Sequence, residues 1–102
     1  GAATEDKALE YFAQLHSAVT HLHKLGWVHR DIKLENVLLA EDGSLRLVDF
    51  GYACQAKPTE LLEKVCGTPQ YVAPEIIRQQ SYCGQLADSW SLGVLLFAMV
   101  AG

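Results

Sequence analysis

Residues 29–36 read His-Arg-Asp-Ile-Lys-Leu-Glu-Asn, and they form the most informative run in this sequence. Two shorter runs follow in order, Asp-Phe-Gly at 49–51 and Ala-Pro-Glu at 73–75. Each run alone says little, because a lone aspartate in a loop is most often a turn residue or a helix cap. Chance rarely produces all three runs in this order and at these separations. Their combination, and not any single run, is therefore evidence for the function of the chain.

The composition indicates one small, packed domain. The 102 residues are 50% hydrophobic and 20% charged, which is typical of a globular chain and not of a disordered one. The formal net charge of −4 provides no broad basic surface. We therefore expect neither nucleic acid nor an anionic membrane as a partner.

Cysteine use favours a reduced, intracellular and cytoplasmic setting. The chain has three cysteines, an odd number without a Cys-x-x-Cys pair. The most apolar run, residues 92–101, is shorter than the roughly 20 residues that span a bilayer, so it predicts a buried helix. The N-terminus also lacks the basic and then apolar pattern of a signal peptide.

Helical periodicity is clear at both ends of the chain. Apolar side chains recur at 8, 12, 15, 19 and 22 and at 11, 15, 18, 22 and 25, which predicts a helix over residues 4–25. Thr4 is a favourable N-cap residue for the start of this helix, and Gly26 can adopt the left-handed conformation that ends it. From Leu86 onward the chain is apolar on nearly all sides, which predicts a helix at the centre of a larger core. The first helix also carries histidines spaced poorly for a metal and expected to be solvated or packed: His16, His21 and His23.

Short β-prone runs lie between these helices. Trp27-Val28 is extended in character, and residues 37–39 and 45–48 flank Asp42-Gly43, which predicts a hairpin. Residues 52–68 mix a proline, charges and scattered leucines without a clear period. They predict a long loop, which in a small domain is usually functional or mobile.

The three runs resemble the signature of protein kinases. Residues 29–36 resemble the catalytic loop, residues 49–51 the magnesium-binding turn, and residues 73–75 the anchor that closes the activation segment. Residues 67–75 and 88–94 extend the resemblance over nearly the whole chain. It implies an α+β, mainly α fold, namely part of a kinase C-terminal lobe over residues 1–102. Its parts are a helix, the catalytic loop, a small β-hairpin, the activation segment and a central apolar helix.

The resemblance implies ATP-dependent phosphoryl transfer to serine or threonine hydroxyls of protein substrates. Asp31 corresponds to the catalytic base, and Lys33 corresponds to a lysine that contacts the γ-phosphoryl group and is characteristic of the serine/threonine class. Asn36 and Asp49 correspond to the oxygen ligands of Mg²⁺.

Further ATP and substrate positions follow from the same resemblance. Leu38 and Val48 correspond to residues that line the adenine pocket. Glu35 belongs with the ATP-binding residues of the loop, and it also corresponds to a glutamate that pairs with an arginine upstream of the target hydroxyl. A solvated loop carboxylate is the alternative for Glu35. Thr68 corresponds to a residue that hydrogen-bonds toward Asp31 and Lys33.

Four other positions correspond to structural residues: His29, Arg30, Phe50 and Asp88. His29 is expected to pack near Phe50 and to bond to Asp88, which holds the backbone of the catalytic loop. Glu75 corresponds to a carboxylate whose arginine partner lies beyond residue 102 in the family.

The activation segment departs from the common pattern at Lys64. Many kinases have a phosphorylatable residue four positions before the equivalent of Thr68, where phosphate meets Arg30. Glu63 is the candidate to reach Arg30 instead. Thr59 is the only other serine or threonine between the magnesium-binding turn and Thr68. We therefore predict activation without phosphorylation at the usual site.

Several family elements are not found within residues 1–102. No glycine-rich loop or strand lysine precedes the first helix, so the N-terminal lobe and the last helices of the C-terminal lobe are expected to lie outside this sequence. The isolated chain is expected to be inactive and to expose an apolar face of its last helix.

Residues 49–55, 63–69 and 75–77 resemble the calmodulin-dependent group most, with phosphorylase kinase catalytic subunit as a particular likeness. A kinase-like interaction module and a non-catalytic decoy are the alternative functions. The sequence indicates no regulator.

Overall fold

Two helices, α1 (Glu5–Lys24) and α3 (Gly84–Ala101), pack together and form most of the core. The computed structural model describes residues 4–101. Between the two helices lies Ile32, which is 1% exposed. The other buried members of this cluster come from the facing sides of α1 and α3: Ala8, Leu15, Val19, Leu92, Leu95 and Met99.

Helix α1 begins and ends close to the predicted positions. The Thr4 hydroxyl accepts a hydrogen bond from the backbone N–H of Lys7 at 3.3 Å, and Gly26 adopts a left-handed φ of +86°. The first of the two predicted apolar tracks faces the core. The second does so only in part, because Ala18 and Leu25 are exposed.

The strands are short and form three antiparallel pairs, β1 with β4, β2 with β3 and β5 with β6. A 3₁₀ helix (Leu34–Asn36) and the short helix α2 (Pro74–Ile77) complete the described elements. The predicted α+β, mainly α class is confirmed. The strands are β1 (Trp27–Val28), β2 (Val37–Leu39), β3 (Leu45–Leu47), β4 (Cys54–Gln55), β5 (Leu61–Leu62) and β6 (Tyr82–Cys83).

The predicted hairpin is confirmed as β2 and β3, which pair Val37 with Leu47. Its turn places Gly43 at a φ of +85°. The Asp42 carboxylate accepts hydrogen bonds from the Ser44 hydroxyl at 2.6 Å and from its backbone N–H at 2.9 Å. These bonds hold the pKa of Asp42 below its usual value, so the turn is closed by an ionised side chain.

The predicted long loop over residues 52–68 was wrong at two places, because it contains β4 and β5. Strand β4 pairs Gln55 with Trp27, and β5 pairs Leu62 with Tyr82. Each strand has two residues, too few to show an alternating pattern. Their partners are distant in sequence, so only the tertiary fold reveals them.

Helix α3 begins two residues before the predicted Leu86 because the chain packs tightly at Gly84. A Cβ atom at Gly84 would lie 2.9 Å from both γ carbons of Val28, and no real Cβ approaches so closely. Glycine therefore lets the start of α3 lie directly against β1. This contact brings the first turn of α3 next to the loop at residues 29–36.

One face of α3 remains exposed, as predicted. Phe97 is 72% exposed, and a cavity of about 460 Å³ beside it is lined by Trp90, Gly93 and Val94 among others. The helix has a mean hydropathy of 1.3 over 18 residues and is long and apolar enough to cross a membrane by those criteria alone. Its other face packs on α1 and buries Asp88, as in the core helix of a globular domain.

Candidate active site

The loop at residues 29–36 is held between two buried apolar side chains. Val28, at the end of β1, is fully buried, and Ile32 is 1% exposed. Between them, Arg30 adopts a left-handed φ of +69°, which turns the chain sharply. Side chains of the loop then contact the residues after the hairpin and the activation segment: His29 contacts Val48, and Lys33 contacts Thr68.

Asp88 on α3 fixes the backbone of this turn. Its carboxylate is 1% exposed and accepts hydrogen bonds from the backbone N–H groups of His29 and Arg30, each at 2.9 Å. The predicted contact between His29 and Asp88 is present through the His29 backbone. The Asp88 carboxylate therefore joins the catalytic loop to the central helix.

His23 is the third partner of Asp88, and sequence reasoning missed it. Its Nε2 lies 2.8 Å from Asp88 Oδ2, and its side chain is 14% exposed. The two residues are 65 positions apart. We expected His23 to be merely solvated or packed, and no local signal in the sequence links it to Asp88.

The His29 ring connects the loop to the turn that follows β3. The backbone N–H of Asp31 donates to His29 Nδ1 at 3.0 Å, so that nitrogen carries no hydrogen. The other ring nitrogen, Nε2, therefore donates to the backbone carbonyl of Val48 at 3.1 Å. As expected, the ring also packs against Phe50, edge-on, with centroids 4.8 Å apart.

Asp31 and Asn36 form a buried polar pair. Asp31 is 8% exposed and Asn36 is 6% exposed. The Asn36 amide donates to the backbone carbonyl of Asp31 at 2.8 Å and to Asp31 Oδ2 at 3.2 Å. These bonds fix the orientation of the Asp31 carboxylate and direct the amide oxygen of Asn36 away from it.

Lys33 and Thr68 bring the activation segment to Asp31. Lys33 Nζ donates to the Thr68 hydroxyl at 2.7 Å and lies 3.9 Å from Asp31 Oδ2. The Thr68 hydroxyl in turn donates to Asp31 Oδ1 at 3.4 Å. These are the contacts that the family resemblance implies. The side chains of Lys33, Asn36 and Thr68, which lie up to 37 positions from Asp31, thus converge on its carboxylate.

Asp49 lies beside this group with a left-handed φ of +58°. Its side chain is exposed, and one carboxylate oxygen accepts a hydrogen bond from the Gly51 backbone at 3.2 Å. The residue before it, Val48, donates its N–H to the Asn36 carbonyl at 2.9 Å. This bond ties the Asp49 turn directly to the end of the catalytic loop.

The donor set fits Mg²⁺ bound together with phosphates. Asn36 and Asp49 both offer oxygen, the ligand that Mg²⁺ prefers, and one or two protein ligands suffice when phosphates supply others. Within residues 4–101 no group of three or more histidine, cysteine or acidic side chains forms a complete metal site.

The protein kinase domain family matches residues 1–102. The chain belongs to the protein kinase family. Its most similar curated relatives include the serine/threonine-protein kinase kin-29 of Caenorhabditis briggsae, which is 47% identical over the whole chain. CBL-interacting protein kinases 3 and 12 of Oryza sativa subsp. japonica are 50% and 51% identical, again over the whole chain. The chain spans 12%, 24% and 19% of these relatives, respectively. The more specific resemblance of this chain to the catalytic subunit of phosphorylase kinase, within the calmodulin-dependent group, stays a prediction.

The two positions predicted to line an adenine pocket lie on and just after the hairpin. Leu38, on β2, is 54% exposed, and Val48, just after β3, is half-buried. Glu35 is exposed in the 3₁₀ helix, on the side of Thr68. Both Leu38 and Glu35 are therefore accessible to a bound molecule.

The expected contact between Arg30 and Glu63 was wrong. Within residues 4–101 Arg30 forms no ion pair, and its guanidinium donates to the Tyr52 carbonyl at 2.7 Å and to the Tyr82 hydroxyl at 3.3 Å. The Lys64 ammonium lies 5.4 Å from the centroid of the Tyr52 ring. The positive charge of Lys64 thus lies over the aromatic ring of Tyr52, whose carbonyl binds Arg30. Tyr82 is a further site residue, which the sequence analysis did not identify.

Thr59 and Glu75 both belong to the activation segment, and Glu75 lies in the run that closes it. Thr59 is exposed in a turn, and no hydrogen bond joins its side chain to another residue of the described 4–101 range. Glu75 is half-buried in the first turn of α2. It forms no ion pair with any residue between 4 and 101.

Proposed function

We propose that the protein containing this chain transfers the γ-phosphoryl group of Mg-ATP to serine or threonine hydroxyls of protein substrates. The observation that carries the proposal is the convergence of Asn36, Lys33 and Thr68 on the Asp31 carboxylate. Family membership and the serine/threonine kinases among the relatives support the same reaction class.

Asp31 orients the substrate hydroxyl and accepts its proton. Phosphoryl transfer needs little covalent help from the protein, but it needs the attacking hydroxyl held in line and the developing negative charge balanced. The hydrogen bonds from Asn36 and Thr68 preorganise the Asp31 carboxylate for this task. Lys33 keeps its ammonium beside that carboxylate, where it balances charge on the transferred group.

Asn36 and Asp49 would hold Mg²⁺, which supplies charge neutralisation on the phosphates when the nucleotide is bound. The amide nitrogen of Asn36 is engaged by Asp31, so its oxygen is the atom that faces the metal. Asp49 is anchored by the bond between Val48 and Asn36. This bond joins the two backbone segments that carry the ligands.

Glu35 selects basic protein substrates in this proposal. Its carboxylate borders a cavity of about 370 Å³ that Thr68, Gln70 and Tyr71 also line. An arginine upstream of the target hydroxyl can bind an exposed carboxylate through two parallel hydrogen bonds.

We further propose a cytoplasmic protein and an inactive isolated chain. The three cysteines are all free, as expected in a reducing compartment. In the isolated chain Leu38 and Asp49 are open to water, which weakens nucleotide binding and screens the charges that catalysis needs.

The test is Asp31→Asn in the full-length protein, with transfer of labelled phosphate to a serine-containing basic peptide as the assay. We expect kcat to fall by roughly 10²- to 10⁴-fold, the usual contribution of a positioned base. Mg-ATP binding, followed by calorimetry, should persist. Glu41→Gln is the matched control, since Glu41 is an exposed carboxylate in the hairpin turn.

Two outcomes would overturn the proposal. Wild-type protein that binds Mg-ATP but transfers no phosphate would indicate a kinase-like interaction module. Wild-type protein that binds its protein partners but not Mg-ATP would indicate a decoy.

A further inference from the structure

The side chain of Tyr82 is held rigidly beside the activation segment. It is 2% exposed and packs in a cluster with Ile76 and Ala87. Strand β6 adds backbone pairing between Tyr82 and Leu62. Because the ring is buried and its backbone is paired, its hydroxyl has a defined position at the end of the cluster.

That hydroxyl joins the catalytic loop to the activation segment. It donates its hydrogen to the backbone carbonyl of Lys64 at 2.7 Å and accepts a hydrogen bond from Arg30 Nη1 at 3.3 Å. A phenol has one hydrogen to donate, so the Cys66 thiol, 3.9 Å away, is the donor in the third contact. The single oxygen of Tyr82 therefore contacts both segments at once.

Arg30 is charged and has no carboxylate partner within residues 4–101. Burial acts to lower the pKa of Arg30, but its other interactions, led by the hydrogen bond with Tyr82, outweigh that effect and leave the pKa raised. Neutral oxygens thus satisfy a guanidinium that in many kinases faces a phosphate. Exposed Glu63 does not contribute an ion pair here.

The activation segment passes very close to the catalytic loop next to this link. A Cβ atom at Gly67 would lie 2.9 Å from the Arg30 carbonyl and 2.7 Å from Val72 Cγ1. Gly67 precedes Thr68, whose hydroxyl contacts Asp31. The Tyr82 hydroxyl holds the Lys64 backbone near Arg30. Because Thr68 is only four residues further on, this contact also influences the position of Thr68.

We propose that Tyr82 is a positioning residue that fastens the activation segment at Lys64 to Arg30 and so orders the active site without a phosphate. The proposal rests on the proposed function for its kinetic consequence. It does not depend on that function for the link itself, which is a contact between described residues.

The test uses Tyr82→Phe in the full-length protein, which removes the hydroxyl and keeps the ring. Losing its hydrogen bonds should raise hydrogen exchange of the amides at 57–66 roughly threefold to tenfold. The KM for the protein substrate should rise and kcat should fall, while the KM for ATP stays constant. Tyr11→Phe is the matched control, because the hydroxyl of half-buried Tyr11 bonds to no described residue.

Lys64→Glu provides a rescue that a merely structural role would not show. The Lys64 side chain already lies beside Tyr52, whose carbonyl binds Arg30. A carboxylate at position 64 can form an ion pair directly with the guanidinium of Arg30. We expect Lys64→Glu to restore the substrate KM and the exchange protection of Tyr82→Phe.

Each possible result either supports or overturns the proposal. Unchanged exchange and kinetics in Tyr82→Phe would overturn it, and so would a loss that also raises the KM for ATP and is not rescued by Lys64→Glu. If wild-type protein transfers no phosphate, the proposed function fails. Hydrogen exchange of Tyr82→Phe at 57–66 then still decides whether the link exists.

Discussion

Replacing Asp88 by asparagine is the sharpest test of how the catalytic loop is held. The two carboxylate oxygens serve three donors, the backbone N–H groups of His29 and Arg30 and the ring of His23. An asparagine has one oxygen and one NH₂ group, so at least one N–H of the loop must face another donor. The lower-cost orientation places the NH₂ group against Arg30, whose N–H is only partly buried.

The expected loss follows from these contacts. An unsatisfied buried donor costs roughly 1–3 kcal/mol, and the remaining bonds lose the assistance of a full negative charge, so Asp88→Asn should lower the free energy of unfolding by about 2–4 kcal/mol. That is a large share of the roughly 5–15 kcal/mol that stabilises a domain. His23→Ala, which removes one partly exposed donor and leaves both backbone bonds, should cost about 1 kcal/mol.

The assay is urea unfolding of the full-length protein, combined with phosphate transfer. Glu41→Gln is the control, since it neutralises an exposed carboxylate that forms no side-chain hydrogen bond or ion pair within residues 4–101, and it should leave the unfolding free energy unchanged. The double variant of His23 and Asp88 should lose less than the sum of the single losses, because both changes remove the same bond. Unfolding of Asp88→Asn at the wild-type urea concentration, with unchanged activity, would refute the reasoning.

Two further predictions concern the activation segment, and a third concerns the substrate contact at Glu35. Gly67→Ala should lower the unfolding free energy of the full-length protein by at least about 2 kcal/mol, because the site has a φ of +96° and no room for a Cβ; a wild-type urea midpoint would contradict this. Thr59→Ala should keep phosphate transfer within about twofold of wild type, as expected for an exposed side chain that carries no obligatory phosphate; abolished transfer would show that phosphorylation there is required. Glu35→Gln should raise the KM for a peptide with an upstream arginine by about tenfold, because it removes a charge-assisted pair, and should leave an arginine-free peptide unaffected; equal effects on both peptides would exclude the pairing.

Elements defined by local pattern were predicted well. The periodicity of α1, its cap at Thr4 and the Asp42-Gly43 turn of the hairpin all depend on residues close in sequence, and each is confirmed. Strands β4 and β5 were not predicted, since two residues cannot show a period and their partners lie on β1 and β6.

In the candidate site, too, contacts between residues close in sequence were predicted and contacts between distant residues were not. Asp31 and Asn36 lie five positions apart, so one loop brings them together. Glu63 was expected at Arg30 because it is adjacent to Lys64 in sequence. The structure instead places Tyr82 there, 52 positions away from Arg30.

The sequence by itself determined the family, the catalytic motif and the two main helices, because motif order and helical period are properties of neighbouring residues. Only the tertiary structure decided which side chains satisfy the buried polar groups of the loop. His23 reaches Asp88 across 65 positions, and Tyr82 reaches Arg30 and Lys64 from β6. The physical reason is that a buried polar group needs a hydrogen-bond partner, which can be any residue that lies close enough in the folded chain. Which residues lie close depends on the packing of the whole core.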